Sequence, residues 1–475
     1  MAPRGGDVDA LVVGSGPNGL SAAVELARAG LSVRIIEARD EVGGGTRTAE
    51  LTMPGFRHDV CSAIHPLALV SPFFRKLRLE QHGVEFVQPP AALAHPLDDG
   101  RVAMLERSLD ATSATLGADG DAYTALMQPL VERAPLLFED LLAPLRLPSH
   151  PLALARFGVR GVLGAEQLGR RFGEPPARAL LAGAAAHSIR PLDKSPTGGL
   201  ALLLLLAGHV VGWPLVRRGS SEIARALTAM LRDLGGEVET GHEVKSMDDL
   251  PPARVTLFDV TPRQLVRIAG DRLPSRYRRR LSAWRYGPGV FKVDYALDGP
   301  IPWASPECAR AATVHLGGTF EEIAWSEKEV YARRAPERPF VLLAQPSLFD
   351  DTRAPHGKHT VWAYCHAPNG MKADLEGTID AQIERLAPGF RDLVLARHSV
   401  DAQGLEAHNP NYVGGDISGG VQDLPQLLMR PAPRWDPYST PAAGIYLCSS
   451  STPPGAGVHG MCGYLAARSA LRRSF

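Results

Sequence analysis

The chain has 475 residues, of which 45% are hydrophobic and 21% charged, so it is large enough to fold into two globular domains. Lys plus Arg and Asp plus Glu both number 51; this balance predicts no nucleic-acid partner. The five cysteines show no CxxC spacing, which argues against a disulfide framework and a zinc site.

The first predicted elements form a strand–helix–strand unit. Asp9–Val13 and Ser32–Ile36 have the pattern of short buried strands, and Asn18–Ala29 has that of an amphipathic helix. Residues 14–19 between them fit GxGxxG, in which glycines permit a tight turn, approach of a diphosphate and close packing of helix on strand. The helix N-terminus would also attract the diphosphate. The predicted contacts with a dinucleotide are Gly14, Gly16, Pro17, Asn18 and Gly19.

An acidic residue follows the second strand. Glu37 stands roughly 20 residues beyond the glycines, where a carboxylate accepts hydrogen bonds from a ribose diol and repels a 2′-phosphate. The spacing therefore favours an adenine dinucleotide over NADP, with Ala38 next to it at the same site. The residues before this unit, Met1–Asp7, contain no signal-peptide core, which predicts a cytoplasmic location.

A second glycine-rich segment comes just after this unit. Residues 43–48 read Gly-Gly-Gly-Thr-Arg-Thr and fit a GGxxR[ST] pattern. Glycines here let the chain fold back over a cofactor, and the arginine would reach phosphate or ribityl oxygens. The predicted contacts in this arginine segment are Gly44, Gly45, Thr46 and Arg47.

The middle of the chain is helical and contains one strongly apolar stretch. Helices are predicted at Tyr123–Leu142, Gly161–Phe172 and Pro176–His187. The stretch Gly198–Val216 is just long enough to span a bilayer, but glycines and Pro214 interrupt it. A buried helix that lines an apolar cavity is the first interpretation, and a surface that touches a membrane is the second.

The remaining elements alternate between helix and strand. They are a helix at Ser220–Leu234, strands at Glu237–Val244, Arg254–Val260, Val290–Leu297, Val361–His366 and Gly444–Cys448, and a final helix at Tyr464–Arg472. The α/β character at both ends, with helices and mixed sheet between, predicts a nucleotide-binding domain interleaved with a substrate domain.

On these motifs the chain resembles the FAD-dependent phytoene desaturase/amine oxidase superfamily. Within it, the chain is similar to phytoene dehydrogenase-related oxidoreductases and the pyridine nucleotide-disulfide oxidoreductase domain protein 2-like group. The similarity runs end to end, through residues 55–59 after the arginine segment and through 446–460, a closing flavin loop. It implies a Rossmann-like FAD-binding domain at 1–85, 215–290 and 430–475, and an α+β substrate domain at 86–214 and 291–429.

The resemblance also implies further FAD contacts. Val244 would lie beside the adenine, and Ser450, Gly457 and Val458 would lie at the flavin. The chain departs from many relatives at Ser449 and Ser450, where they carry a glycine and an acidic residue that hold the ribityl chain, and at Cys61, where a glycine is usual. Without a second GxGxxG or a redox CxxC, the electron acceptor is expected to be dioxygen, a quinone or another compound.

Two histidines beside the cofactor motifs, His65 and His459, are the candidates for acid–base chemistry. Weaker candidates are His187, His366, Asn411 and Asp416, for each of which a structural role is the simpler interpretation. No clustered histidine spacing predicts a metal site.

The leading hypothesis is an FAD-dependent dehydrogenase or desaturase that transfers hydride from an apolar, polyene- or lipid-like substrate to flavin N5. One alternative is a flavin-dependent isomerase, cyclase or saturase-type reductase. Another is a lipid-carrier protein that shares the fold of GDP-dissociation inhibitors and uses no flavin. An amine oxidase is less favoured, because no aromatic pair lies near the closing loop in the sequence.

Overall fold

The computed structural model describes residues 8–475; Met1–Asp7, where we expected no signal peptide, lie outside the described residues. The strands, in chain order, are β1 (Val8–Val13), β2 (Val33–Ile36), β3 (Thr48–Glu50), β4 (Arg57–Asp59), β5 (Phe86–Val87), β6 (Ala91–Pro96), β7 (Val102–Leu105), β8 (Leu215–Val216), β9 (Glu237–Glu239), β10 (Ala253–Phe258), β11 (Gly289–Leu297), β12 (Ala311–Leu316), β13 (Val341–Ala344), β14 (His359–Ala367), β15 (Val394–Val400) and β16 (Ile445–Leu447).

The α-helices connect and cover these strands. They are α1 (Pro17–Arg28), α2 (Pro66–Val70), α3 (Pro72–Leu77), α4 (Leu109–Ala114), α5 (Gly120–Val131), α6 (Ala134–Leu141), α7 (Pro151–Gly161), α8 (Ala165–Gly169), α9 (Pro175–Ala186), α10 (Thr197–Val211), α11 (Ser221–Asp233), α12 (Pro262–Ala269), α13 (Ser275–Ser282), α14 (Phe320–Tyr331), α15 (Glu376–Leu386), α16 (Ala402–His408), α17 (Leu424–Met429) and α18 (Met461–Ser474).

A parallel sheet places the ends of its strands at one edge. Its order is β16-β10-β1-β2-β9, and every neighbouring pair is parallel. Helix α1 packs against both α11 and α18 beside this sheet. Gly14 directly follows β1, Glu37 follows β2 and Asp259 follows β10. Because the carboxyl ends of parallel strands meet at one edge, these three residues come together there.

A second, mixed sheet has the order β15-β11-β14-β13-β12-β6-β7. Its side chains alternate between two faces, as the period of a strand requires. Trp362 and Tyr364 of β14 line a cavity, whereas Ala363 and Cys365 between and after them pack into a core with α15. The mixed sheet therefore forms a wall of that cavity and has its own hydrophobic core behind it.

The two sheets draw on separate stretches of the chain. The parallel sheet uses strands from residues 8–36, 237–258 and 445–447, and the mixed sheet uses strands from 91–105 and 289–400. This arrangement confirms the predicted fold class, an α/β dinucleotide fold interleaved with α+β structure. The exact domain boundaries stay a prediction.

Helix α10 coincides with most of the apolar stretch. Leu202 and Leu206 are fully buried, while Leu200 and Leu204, one turn apart on the helix, line the cavity. The helix ends before Gly212. Within residues 8–475, no helix combines the length and apolar character needed to cross a membrane.

Three predicted elements differ from the structure. The helix expected at Tyr123–Leu142 is split into α5 and α6, since Pro135 starts a new helix. The prediction of one helix at Gly161–Phe172 is wrong. Helix α7 ends at Gly161, which packs on the backbone of α10, and the next helix, α8, is short. The strand expected to reach Val244 ends as β9 at Glu239, because the chain turns toward Arg39.

Candidate active site

A cavity of about 440 Å³ opens at the carboxyl edge of the parallel sheet, within the usual size of small-molecule sites. Residues 14–18 of the glycine turn, 44–47 of the arginine segment, and 449, 450 and 456–458 of the closing loop all line it. The predicted cofactor residues on its wall are Gly14, Gly16, Pro17, Asn18, Glu37, Ala38, Gly44, Gly45, Thr46, Arg47, Val244, Ser450, Gly457 and Val458.

Gly19 is the one predicted cofactor residue that does not reach the cavity wall. A Cβ atom at Gly19 would stand 2.1 Å from the carbonyl oxygen of Gly14, so α1 packs on the turn through this position. Gly14 has a φ of +97°, which side chains disfavour. Gly19 therefore serves the packing of helix on strand, and its contact with the cofactor stays a prediction.

Glu37 joins the glycine turn to the arginine segment. Its carboxylate accepts hydrogen bonds from the backbone N–H groups of Ser15 and Arg39, both at 2.9 Å. The Arg47 guanidinium lies 3.3 Å from the same carboxylate and also donates to the Glu41 carbonyl at 2.6 Å. A fixed carboxylate at this edge suits a ribose diol.

A backbone hydrogen bond holds the arginine segment against the glycine turn. The N–H of Gly43 donates to the carbonyl of Ser15 at 2.9 Å. Arg47 is only 7% exposed, so its side chain is part of the cavity wall and does not extend into solvent. The two motifs therefore converge on one space, as their order in the sequence led us to expect.

The closing loop precedes α18 and rests on a buried cation that sequence analysis missed. Arg430 is 1% exposed and donates from Nη1 to the carbonyl of Ser450 at 3.0 Å. Burial lowers the pKa of Arg430 to about 10, which leaves it charged at neutral pH. A positive charge behind this loop would stabilise negative charge that develops in front of it.

Asp259 is a second residue that sequence analysis missed. It lines the cavity, and its carboxylate accepts the N–H of Gly19 at 2.9 Å at the start of α1. Burial and, to a lesser extent, the nearby Glu37 raise the pKa of Asp259 to about 7, against the lowering effect of the Gly19 hydrogen bond. This carboxyl therefore changes charge near neutral pH beside the glycine turn.

His65 lines the cavity and is held in one tautomer. The Ser220 hydroxyl donates to the Ser62 carbonyl at 2.6 Å, so it accepts the hydrogen bond from His65 Nε2, 2.8 Å away. The Nδ1 atom keeps its lone pair, 3.4 Å from the Ser62 hydroxyl. Burial lowers the pKa of His65 to about 4, so the ring is a neutral acceptor at pH 7.

His459 does not line this cavity, and its catalytic role stays a prediction. Its side chain is fully buried, and Nδ1 accepts the N–H of Met461 at 3.0 Å at the first turn of α18. Its carbonyl accepts the hydroxyl of Ser71 at 2.6 Å. These contacts fix the closing loop to the start of the helix, which is a structural role.

Of the four weaker candidates, two line the cavity and two do not. Asn411 and His187 line the cavity, and the Asn411 side-chain oxygen accepts the N–H of Thr261 at 2.9 Å. Asp416 lies behind the wall, where it accepts the N–H of Gly287 at 2.8 Å. His366 is also behind the wall, with Nδ1 2.7 Å from a carboxylate oxygen of Glu327.

The end of the cavity away from the parallel sheet is apolar. Helix α10, the segment after it and the mixed sheet contribute Leu200, Leu204, Trp213, Leu342, Trp362 and Tyr364. Trp362 and Tyr364 form a T-shaped pair with ring centroids 5.1 Å apart. This pair is not visible near the closing loop in the sequence, because both residues lie far along the chain from it.

Charge is confined to the other end of the cavity. The carboxylates on its wall are Glu37, Glu243 and Asp259, which follow β2, β9 and β10 at the edge of the parallel sheet. Among the described residues, the apolar end contributes no Asp, Glu, Lys or Arg to the wall. The cavity thus combines a polar edge for a nucleotide with an uncharged end for another molecule.

These residues fit FAD. The first turn of α1 offers N–H groups to a diphosphate, and Glu37 offers acceptors to a ribose. The closing loop brings small residues to the wall, where backbone would contact a flat ring. The arrangement defines an FAD-dependent oxidoreductase.

Comparison with known proteins agrees with this class. The model of the flavin containing amine oxidoreductase family matches residues 18–273, more than half of the chain. The chain therefore belongs to this family, is an oxidoreductase and uses FAD. The lipid-carrier alternative is set aside.

The similarity to individual relatives covers most of the chain. Pyridine nucleotide-disulfide oxidoreductase domain-containing protein 2 of Mus musculus is 28% identical over 98% of this chain and 94% of its own. The phytoene dehydrogenase of Streptomyces griseus is 27% identical over 82% and 78%. A structure of putrescine oxidase bound to putrescine, 19% identical over 98% of both chains, superimposes with a TM-score of 0.62 and so shares the fold.

Proposed function

We propose that the protein is a dehydrogenase or desaturase of an apolar, polyene- or lipid-like substrate. The uncharged end of the cavity carries this proposal. An ammonium group placed against Leu200 and Leu204 would lose its hydration without meeting a counter-charge. An apolar substrate has no charge to desolvate there and gains burial.

In such a reaction the substrate gives up a hydride and a proton from neighbouring carbons and keeps a new double bond. Bound FAD supplies the two-electron acceptor, and dioxygen, a quinone or another compound then receives the electrons. The apolar wall binds the substrate and excludes water. His65 is our candidate to receive the proton, because it lines the cavity and its Nδ1 carries a lone pair.

The experiment is anaerobic mixing of the FAD-loaded protein with phytoene, limonene and carvone, and separately with putrescine, while the flavin absorbance is recorded. We expect bleaching by an apolar compound and none by putrescine. Bleaching by putrescine alone would contradict the proposal. Turnover that needs prior reduction of the flavin would favour the isomerase, cyclase or reductase alternative.

Two leucines of α10 give a matched pair of variants for this experiment. Leu204 lines the cavity, whereas its neighbour Leu203 does not. Leu204→Asn should weaken binding of the apolar compound roughly tenfold, the cost of losing a buried aliphatic contact. Leu203→Asn should leave binding unchanged. Equal effects of the two substitutions would contradict the placement of the substrate.

We further propose that the protein touches an anionic membrane through the segment that includes α7. Leu145, Leu147, Leu152 and Val159 are exposed by 73%, 93%, 81% and 72% of their surface, which is unusual for residues so close in sequence. Arg156 is exposed on the same helix. Apolar side chains beside an exposed positive charge suit an anionic lipid surface.

Vesicle sedimentation tests this contact. The protein should sediment with vesicles of phosphatidylglycerol and phosphatidylcholine, less so in high salt. Leu147→Ser with Leu152→Ser should abolish sedimentation, whereas Trp435→Ser, which removes another fully exposed side chain, should not. Sedimentation that is unaffected by the leucine substitutions would contradict the proposed surface.

A further inference from the structure

Two histidines meet at the apolar end of the cavity. His187 follows α9 and lines the cavity, and its Nε2 lies 3.1 Å from Nε2 of His315 on β12, which is fully buried. Burial lowers the pKa of His187 to about 3 and that of His315 well below its usual value, so both rings are neutral at pH 7. One ring must then donate through Nε2 and the other must accept.

The surroundings of His315 decide which ring donates. Its Nδ1 is sealed from solvent and has no hydrogen-bond partner among residues 8–475. A Cβ atom at Gly183 of α9 would stand only 2.5 Å from this nitrogen and 3.2 Å from Nδ1 of His95, so the backbone of α9 packs closely on this side of the ring. A buried N–H without an acceptor is rare in proteins. The proton of His315 is therefore on Nε2, which donates to His187.

The tautomer of His187 follows from that assignment. Its Nε2 accepts, so its proton is on Nδ1. Nδ1 of His187 makes no hydrogen bond within the described residues. Unlike Nδ1 of His315, it is not fully buried by protein. The His187 ring packs edge-on against Trp213, with centroids 5.6 Å apart, on the same apolar wall. Among residues 8–475, an N–H donor without a protein acceptor is thus part of a cavity end that has no charged residue.

We infer that His187 determines specificity by donating a hydrogen bond from Nδ1 to an oxygen of the substrate, with His315 as the positioning residue that fixes the tautomer. The substrate class is an apolar skeleton that carries a carbonyl, ether or hydroxyl oxygen. This inference rests on the proposed function, because it names a feature of the same substrate. A plain hydrocarbon would leave the donor unpaired and bind less tightly.

The first test needs no substrate. Nuclear magnetic resonance of the FAD-loaded protein labelled with ¹⁵N in its imidazole rings reports which nitrogen carries the proton. The signal that disappears in His187→Asn identifies this ring. We expect the proton on Nδ1 of His187 and on Nε2 of His315. A proton on Nε2 of His187 would overturn the inference and leave the proposed function standing.

The second test compares two compounds of one carbon skeleton, carvone and limonene, which differ by a carbonyl oxygen. Binding to the FAD-loaded protein is followed by the flavin absorbance. We expect carvone to bind roughly tenfold tighter, the contribution of one hydrogen bond. His187→Phe should remove this preference by weakening carvone binding more than limonene binding, whereas His187→Asn, whose amide nitrogen replaces Nδ1, should keep most of it. Failure of carvone to bind better than limonene would overturn the inference, even if apolar compounds still bleach the flavin.

Discussion

Single residues at the carboxyl edge of the parallel sheet determine whether a dinucleotide fits there. Gly14, Gly19 and Glu37 follow from local sequence pattern alone, because a turn between strand and helix restricts which residues it accepts. Asp259 could not be predicted this way. It meets Gly19 across 240 residues of chain, and only the pairing of β1 with β10 brings the two together.

The first prediction concerns Gly19. Gly19→Ala would place its Cβ 2.1 Å from the Gly14 carbonyl oxygen, a contact that backbone movement must relieve. We expect a loss of stability of about 2 kcal/mol or more, together with loss of FAD. Urea unfolding and flavin content measure these effects. Gly158→Ala in α7 is the control, since it meets no atom within 4 Å and should be neutral or slightly stabilising. Equal behaviour of the two variants would refute the packing role.

The second prediction concerns Asp259, whose pKa is about 7. Its carboxyl is neutral below that pH and negative above it, beside the turn where a diphosphate binds. FAD affinity should therefore fall as pH rises, by roughly tenfold or about 1.4 kcal/mol between about pH 6 and 8. Asp259→Asn stays neutral and keeps an oxygen for the Gly19 N–H, so its affinity should be flat. Fluorescence titration of FAD checks this, and the same slope in both proteins would refute it.

At the scale of elements, buried charges connect β4 and β8 to the chain just before β14. Arg353 is 0% exposed, donates to the Val216 carbonyl of β8 at 3.0 Å, and lies 2.8 Å from Asp350 and 3.0 Å from Asp59 at the end of β4. Asp59 in turn accepts the N–H of Ser220 at 2.8 Å, whose hydroxyl contacts His65. This network therefore positions the candidate base.

The third prediction tests that network. Arg353→Met leaves two carboxylates buried without their cation and should lower the free energy of unfolding by about 3–5 kcal/mol. Lys358→Met removes one member of an exposed ion pair with Asp298, and its cost should be below about 1 kcal/mol. Urea denaturation separates the two. Comparable losses in both variants would contradict a structural role for the buried arginine.

Elements with a strong local pattern were predictable, and elements defined by distant contacts were not. The period of α1 and the apolar run of α10 identify those helices within a few residues. Arg353 and Asp59 are 294 residues apart, and Trp362 reaches the cavity only because the mixed sheet presents alternate residues of β14 to it. Local sequence carries no signal for either.

At the scale of the whole molecule, two sheets from interleaved stretches of chain enclose one cavity. The parallel sheet contributes its polar edge, and α10 with the mixed sheet contributes its apolar end. The net formal charge is zero, so selection of a substrate depends on the lining of this cavity and on local surfaces rather than on an overall field.

The most direct test is the structure of the protein with FAD bound. We predict a single FAD in contact with Gly16, Arg47 and Val458, with its flavin ring facing the wall that contains Leu204 and Trp362. A nucleotide at another site, or a flavin ring directed away from this apolar wall, would contradict the account.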